Sequence, residues 1–311
     1  MHLLGLKIKL FFISVLILVA ILSNQVLAKI FLLLSENSAP YLEVSAKIKK
    51  NFPSARKFYL DSIDKSFSPA IFNGDILVCL GTKALEWALN NNINGEIVFS
   101  LVLKPKAEYI ESCAARESRL YGIFLAFPIE RYTYWIRKLF PEIKKIGVIY
   151  ADPYSFYLKT PYYEEKQSQG NLIFYKLFSI DELEKVLQKI AVQTEAMIIA
   201  PDEILINKIV FPRLVLFAIE QNKVFATISK NLARAGALMT LGWDFSSIGD
   251  QTVSLIKRLL SKKRIEQKFY SPEKEVVYIN AKILKILELE LPLLLPNNVI
   301  VINEEEFEDG T

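Results

Sequence analysis

The feature that most constrains this sequence is a series of short apolar runs that alternate with segments of helical period. Most runs are continuous rather than alternating, which is typical of parallel strands covered on both faces. Regular alternation of strand and helix predicts right-handed βαβ units and a doubly wound sheet. The predicted strands are 30–34, 57–60, 76–80, 97–101, 146–150, 172–177, 196–200 and 224–228.

Two helices have clear apolar faces. The segment that opens with Ser179 and Glu182 has the spacing of a capping box, and its apolar residues recur at helical spacing. A second helix repeats the pattern between Ile129 and Phe140. The residues predicted to face the core are Leu183, Val186, Leu187 and Ile190 in one helix and Ile129, Tyr132, Ile136, Leu139 and Phe140 in the other.

The strand and helix series is interrupted once. A first series ends near residue 101 and a second begins near 144, and we interpret 119–132 between them as a crossing segment rather than a core strand. We therefore expect an α/β protein of two doubly wound, Rossmann-like lobes around a cleft. The predicted limits are 29–126 plus 236–264 for lobe one, 127–235 plus 265–302 for lobe two, and 303–311 for an acidic tail.

The N-terminus has the order of a secretory signal peptide. Lys7 and Lys9 precede an apolar run, and polar residues then lead to the small residue Ala28. The run of about 13 residues is shorter than the ~20 of a spanning helix. We predict cleavage after Ala28, with segment 1–28 as the signal and the periplasm as the destination. An uncleaved membrane anchor is the alternative.

Composition narrows the function classes. The sole histidine is His2, within the predicted signal, which argues against Ser-His-Asp catalysis and ordinary zinc sites. The net charge is only +4, and no basic run is interleaved with aromatic residues, so nucleic acid is not an expected partner. We expect a monomer without cofactor or metal.

The two cysteines allow two interpretations. Cys79 and Cys113 could pair in an oxidising compartment. Cys79 lies in an apolar strand, which favours a small buried hydrophobe over an essential disulfide.

Candidate binding residues stand at strand ends. Gly81 and Thr82 follow a buried strand and open a helix, whose free N–H groups suit a carboxylate. Thr82 could equally be a simple cap, and the same alternatives hold for Asp202. Ser100 and Tyr154, at or just beyond the ends of other predicted strands, are further candidate ligand contacts.

Asp244 occupies an unusual position between two aromatic residues. A predicted strand ends at Leu241, Gly242 turns the chain, and a helix is predicted over 246–260. Asp244 either caps this helix or accepts a hydrogen bond from a ligand ammonium at the cleft. In the second case Trp243 or Phe245 would wall the apolar part of the ligand.

The ordered series of motifs resembles a bacterial family. The matching pieces are DILVCLGTKALEWAL, IVFSLVLKP, LYGIFLAFPIERYTYWIRKLFPEIKKIGVIYADP, MIIAPDEIL, KNLARAGALMTLGWDFSSIGDQTVSLIKRLL and VVYINAKILKILELELP. Together they are similar to the periplasmic substrate-binding proteins of ABC transporters of the tryptophan/tyrosine type, from about residue 29 to 292.

The resemblance implies a type I periplasmic-binding fold with three crossings between the lobes. It also implies a small-molecule ligand, often amino-acid-like, and a membrane permease as partner. By position, Gly81 and Thr82 would meet a ligand carboxylate from lobe one, Asp202 would come from lobe two, and Asp244 from lobe one after the chain returns.

Three functions are weighed. The first is non-enzymatic ligand capture for ABC-transporter uptake. The second is a degenerate binding protein that serves as a sensory or interaction module without a transported ligand. An envelope enzyme is the least favoured, because the predicted mature chain has no histidine and no paired-carboxylate motif.

Overall fold

The structure is a computed structural model that describes residues 28–63, 68–72, 74–102, 119–125, 127–151, 171–199, 202 and 204–303. The predicted signal segment up to residue 27, Cys113, Tyr154 and the acidic tail from 304 lie outside the described residues. Within them the chain forms two separate sheets, each flanked by helices. The α/β fold with two doubly wound sheets is therefore confirmed.

The first sheet has six strands in the order β11-β5-β4-β3-β1-β2, and the register between all of its paired strands is parallel. Its central strands are continuous apolar segments with both faces buried, as the sequence predicts. Its strands are β1 Ile30–Leu34, β2 Arg56–Tyr59, β3 Ile76–Leu80, β4 Glu96–Val102, β5 Leu120–Phe124 and β11 Phe269–Tyr270.

The second sheet has seven strands in the order β13-β12-β10-β9-β8-β6-β7. All pairs are parallel except β10 with β12, which is antiparallel. Its strands are β6 Ile146–Tyr150, β7 Leu172–Lys176, β8 Ala196–Ile199, β9 Val224–Ile228, β10 Met239–Trp243, β12 Glu275–Asn280 and β13 Val299–Ile302.

The helices pack on both faces of these sheets. Buried residues of the first sheet form two clusters, one on each face, and those of the second sheet form one large cluster. The α-helices of the described residues are α1 Ala39–Asn51, α2 Thr82–Asn90, α3 Ile129–Leu139, α4 Leu183–Gln193, α5 Val210–Glu220, α6 Lys230–Arg234, α7 Phe245–Leu260 and α8 Ala281–Ile286.

The predicted apolar faces of α3 and α4 are all buried, so helical periodicity placed them correctly. The capping box differs from the prediction. The side chain of Ser179 makes no capping hydrogen bond, and Glu182 accepts instead from the backbone N–H of Phe178 at 3.3 Å. A 3₁₀ turn over Ile180–Glu182 intervenes, and α4 begins only at Leu183.

The interpretation of 119–132 as a crossing segment without a core strand is wrong. Leu120–Phe124 forms β5, which pairs with β4 inside the first sheet. The crossing is confined to the few residues between Phe124 and the start of α3 at Ile129. Gly122 weakens the strand pattern of this sequence, because glycine is uncommon inside strands. A glycine is needed at this position because it accommodates the ring of Phe99 on the neighbouring strand.

Sheet membership also differs from the predicted lobe limits. We assigned 236–264 to lobe one, but β10 at Met239–Trp243 lies in the second sheet, and only α7 returns to pack on α1 of the first lobe. We assigned 265–302 to lobe two, but β11 at Phe269–Tyr270 adds to the first sheet. We place the limits at Asp244 and at the segment between β11 and β12.

Candidate functional site

The chain passes between the two sheets three times within the described residues. It leaves the first sheet after β5, leaves the second after β10, and returns to the second after β11. The first two crossings start at the carboxyl ends of parallel strands, one in each sheet. The carboxyl edges of both sheets therefore lie on the side where the lobes connect, which is the edge where open α/β sheets bind ligands.

Ser35, Gly81 and Tyr41 form a compact group at the carboxyl edge of the first sheet. The hydroxyl of Ser35, just after β1, accepts a hydrogen bond from the backbone N–H of Ala84 at 2.9 Å. Gly81 has φ +97°, and a Cβ there would lie 2.5 Å from Ser35 Oγ and 2.6 Å from a ring carbon of Tyr41. A glycine is therefore required at this turn, both for its φ and for the close approach.

The start of α2 keeps backbone donors at this edge. Thr82 is the first helical residue and is half-buried. The Ser35 hydroxyl accepts a hydrogen bond from the N–H of the third helical residue, Ala84. The N–H groups of Thr82 and Lys83 have no acceptor within the helix. Gly81, at the capping position, has no side chain that could accept from them. The helix start can therefore hold an anion with its remaining donors.

Tyr41 keeps its proton in this group. Burial raises the pKa of the Tyr41 phenol, and the carboxylate of Glu36 raises it further. Its hydroxyl therefore remains a neutral donor and acceptor beside Gly81. Sequence reasoning missed Ser35 and Tyr41. Ser35 follows a buried strand, which is the signal that identified Gly81 and Asp202.

Ser100 is placed in the core of the first lobe. Its side chain is fully buried, and its hydroxyl lies 3.1 Å from the hydroxyl of Thr252 on α7. Its carbonyl accepts from the N–H of Gly81 at 2.8 Å. Ser100 therefore ties β4 to α7 and to the Gly81 turn, and it supports the predicted site from behind.

Asp202 connects strand ends in the second lobe. It is 3% exposed; its Oδ2 accepts from the N–H of Ala151 at 3.0 Å, and its Oδ1 accepts from the N–H of Ile204 at 2.9 Å. The carboxylate thus fastens the ends of β6 and β8 to each other. Its two oxygens are engaged by backbone, which favours a structural role over direct contact with a ligand.

Ser229 is a second edge residue of this lobe that was not among the predicted contacts. It follows β9, has φ +66°, and its side chain accepts from the N–H of Leu232 at 3.4 Å as the cap of α6. A non-glycine residue in the left-handed region is uncommon and is often found at functional sites. The sequence signal that could have identified Ser229 is again a polar residue between a buried strand and a helix.

Trp243, Asp244 and Phe245 form the second crossing itself. Trp243 ends β10 and packs against the cores of both lobes, whereas Phe245 starts α7 and packs on the first lobe. Asp244 is the N-cap of α7, and its Oδ1 accepts from the N–H of Ser247 at 2.9 Å. The two aromatic residues thus fix the lobes on either side of a helix cap.

A cavity of about 560 Å³ lies beside the crossings. We call it the hinge cavity, because Asp244 belongs to the second crossing and Glu273 to the third, while α3 directly follows the first. Its lining residues are Arg131, Tyr134, Trp135, Lys138, Asp244, Glu273, Lys274, Glu275, Val276, Pro296, Asn297, Asn298 and Ile300.

Of the predicted site residues, the structure brings Gly81 and Thr82 together at one edge with Ser35. Asp202 lies at the carboxyl edge of the other sheet, and Trp243 and Asp244 lie at the crossing between the sheets. Ser100 is buried behind the Gly81 turn. Tyr154 lies outside the described residues.

This architecture defines a two-lobe α/β fold, and comparisons with known proteins agree. The chain is similar to the ligand-free, open structure of CD0873, a substrate-binding protein with adhesive properties from Clostridium difficile, with a TM-score of 0.65 and 13% identity over 88% of this chain and 99% of that one. It is also similar to the ABC domain in complex with L-Trp from Streptococcus pneumonia, with a TM-score of 0.54 and 18% identity over 86% and 96% of the two chains.

A third similar structure is a conserved domain protein from Vibrio cholerae, with a TM-score of 0.55 and 17% identity over 86% of this chain and 96% of that one. A search of curated protein sequences finds no match. The family model for ABC transporter substrate binding proteins matches residues 71–305. The chain therefore belongs to the ABC transporter substrate-binding protein family.

A search of the described helices for membrane spans gives none that is both long and apolar enough to cross a bilayer.

Proposed function

We propose that this protein captures a small molecule between its two lobes, outside the cytoplasm, and delivers it to the permease of an ABC transporter. The observation that carries the proposal is the position of the crossings. They leave from the carboxyl ends of β5 and β10, so the edges at which open α/β sheets bind ligands lie on the side where the two lobes connect, which supports a shared cleft. Closure of such lobes around a ligand is a known hinge motion.

The first lobe supplies an anchor for an anionic group. The N–H groups at the start of α2 and the positive end of its helix dipole favour a carboxylate. Gly81 lets that group approach the backbone, and the neutral Tyr41 hydroxyl lies beside it. Because one structural relative is described in complex with L-Trp, amino acids are the first ligand class to test.

A thermal-shift screen of the purified protein against the common amino acids and small carboxylates tests this function. A ligand that binds only the folded state stabilises it by about 2.7 kcal/mol at a hundred times its Kd. Calorimetry then measures the affinity and stoichiometry of each hit. We expect one class of small anion or zwitterion to bind at one site per chain. A screen without any hit would contradict the capture function.

The second candidate is an interaction module without a transported ligand. Two observations favour it: one structural relative is described as having adhesive properties, and Leu293 and Leu294 are 104% and 90% exposed next to each other. Such a module would give no hit in the screen. It would also be encoded away from permease and ATPase genes, whereas an uptake protein is expected beside them.

The export step is tested separately. N-terminal sequencing of the protein from the cell envelope should start at Lys29 if the signal is cleaved after Ala28. An intact Met1 in the same fraction would show the anchored alternative.

A further inference from the structure

The hinge cavity combines both signs of charge in balance. Three cationic side chains, Arg131, Lys138 and Lys274, line it together with the three carboxylates of Asp244, Glu273 and Glu275. Its volume of about 560 Å³ is within the ~300–1,000 Å³ of small-molecule pockets. A ligand with a large net charge would leave half of this lining unpaired, so the cavity suits a molecule without net charge.

Glu275 lies in this lining with its carboxylate already paired. Its side chain is only 2% exposed. Its Oε1 accepts from the indole N–H of Trp135 at 2.7 Å and pairs with the guanidinium of Arg131. Its Oε2 is buried without a hydrogen-bond partner among the residues that the structure describes. With less than 1 Å² of its surface exposed, this oxygen is closed to a ligand, and the pairing with Arg131 balances the charge of the carboxylate.

The lining does not require a charged ligand, because Arg131 already pairs with the Glu275 carboxylate. A hydroxyl group suits such a lining, since it can donate to a carboxylate and also accept from a nearby cation. Several hydroxyls on one molecule would match the carboxylates, cations and Asn side chains that line the cavity together.

Tyr134 adds an apolar surface of the right kind. Tyr134 lines the cavity and is 49% exposed. Arg131 and Lys138 precede and follow it along α3, with the Lys138 ammonium 5.2 Å from the ring centroid. Lys138 also donates to the Tyr134 hydroxyl at 3.0 Å. The ring is thereby held in place, and its apolar surface can pack on the C–H groups of a sugar ring.

We propose that the hinge cavity is a second ligand site that binds a neutral polyhydroxylated molecule, a mono- or disaccharide. Its lining comes from α3, the crossings, β12 and the segment before β13, and of the predicted cleft contacts it includes only Asp244. It contains none of the residues of the Gly81 turn.

Calorimetry of the full chain with D-glucose, D-galactose and maltose tests the proposal. Glycine betaine, citrate and spermidine serve as zwitterionic, anionic and cationic probes. We expect saturable binding of at least one sugar, and no binding of a charged probe that depends on Tyr134. Tyr134→Ala should weaken sugar binding by about tenfold or more, whereas Tyr134→Phe, which keeps the ring, should remain within about twofold of the wild type. Both changes are at an exposed position, so the fold should be retained, as circular dichroism can verify.

A variant of the cleft separates the two sites. Thr82→Asp should leave sugar affinity unchanged, because Thr82 does not line the hinge cavity. The proposal is overturned if no sugar binds, if Tyr134→Ala leaves sugar affinity unchanged, or if Thr82→Asp abolishes sugar binding. Saturable binding of glycine betaine with the same dependence on Tyr134 would overturn the carbohydrate assignment.

Discussion

The Asp244 carboxylate accepts a hydrogen bond from the backbone N–H of Ser247 at 2.9 Å, at the point where the chain leaves the second sheet for the first lobe. A cap is needed here because α7 starts directly at the crossing, with its first N–H groups lacking acceptors. Trp243 and Phe245, on either side, pack on the cores that the crossing connects. The carboxylate between two aromatic residues thus marks a hinge.

The Asp244 cap should make a measurable contribution to the stability of the protein. Asp244→Ala should lower the free energy of unfolding by about 1 kcal/mol, and Asp244→Asn should stay close to the wild type, because Asn caps about as well as Asp. Denaturant unfolding measures both. Equal stability of the Ala variant and the wild type would contradict the capping role.

The second hypothesis for Asp244, a partner for a ligand ammonium, stays a prediction. Calorimetry of Asp244→Asn with an amino acid found in the screen tests it, since loss of a buried charge partner costs about 2–5 kcal/mol of binding. Unchanged affinity would show that Asp244 acts only as the N-cap of α7.

Gly242 is required for packing rather than for a turn. It lies inside β10, and a Cβ there would overlap the ring of Tyr278 on the adjacent strand β12. Gly242→Ala should therefore destabilise the protein by about 1–3 kcal/mol through overpacking, more than the ~0.5–1 kcal/mol that Ala gains over Gly in a strand.

Tyr278→Ala provides the matched background for this change. Without the Tyr278 ring, Gly242→Ala should cost less than about 0.5 kcal/mol, so the two substitutions should be strongly non-additive. Additive costs in denaturant unfolding would show that Gly242 serves another purpose.

Strands and helix faces were predictable because their signals are local. Continuous apolar runs located β1, β3, β6 and β9 to the residue, and helical spacing located the buried faces of α3 and α4. β5 was missed because Gly122 and the nearby Pro128 gave its sequence the composition of a connection.

The site depends on contacts between residues far apart in sequence, which local patterns do not encode. Asp202 binds the N–H of Ala151, Ser35 caps a helix that begins at Thr82, and Glu275 accepts from Trp135 on another element. Sequence reasoning found Asp202 and Thr82 as residues at strand ends. It could not show that the Asp202 carboxylate was already engaged, nor that Glu275 and Trp135 share a cavity.

Lys223 should make stability increase with pH in the alkaline range. Its ammonium donates to the carbonyls of Ala191 and Thr194 at the end of α4. Burial lowers the pKa of Lys223 from its ordinary 10.5, and the carboxylate of Glu195 offsets this only in part. Between the lowered pKa and 10.5 the unfolded chain binds a proton that the folded chain has released, so the free energy of unfolding rises with pH.

The comparison with Lys223→Met isolates this effect from the buried tyrosines. Burial raises the pKa of Tyr175 and Tyr278, and these groups give the opposite slope above about pH 10. Denaturant unfolding at several pH values should show a smaller rise for Lys223→Met than for the wild type. Lys189→Met, on the exposed side of α4, controls for the loss of a lysine. Identical slopes for Lys223→Met and the wild type would contradict the prediction.

Cys79 should be unreactive in the folded protein. It is a free, fully buried thiol in β3, and burial raises its pKa, so little reactive thiolate forms. We expect a thiol reagent to modify it only after unfolding. We also predict that Cys79 is not half of an essential disulfide, so a reducing agent should leave the melting temperature unchanged, whereas loss of a native bridge would cost about 2–5 kcal/mol. A lower melting temperature on reduction would contradict this expectation.

The start of α2 provides the sharpest test of ligand capture. Thr82→Asp places a carboxylate at a helix N-terminus, where negative charge is favourable by about 0.3–1 kcal/mol, so the folded state should be as stable as the wild type or slightly more stable. The same carboxylate would occupy and repel the position proposed for a ligand carboxylate. Affinity for an amino acid identified by the screen should therefore fall by about tenfold or more. Thr82→Asn has nearly the same shape without the charge and should retain most of the affinity. If both variants bind as the wild type does, the ligand carboxylate lies elsewhere, and if both lose affinity equally, the Thr82 hydroxyl rather than the helix start contacts the ligand.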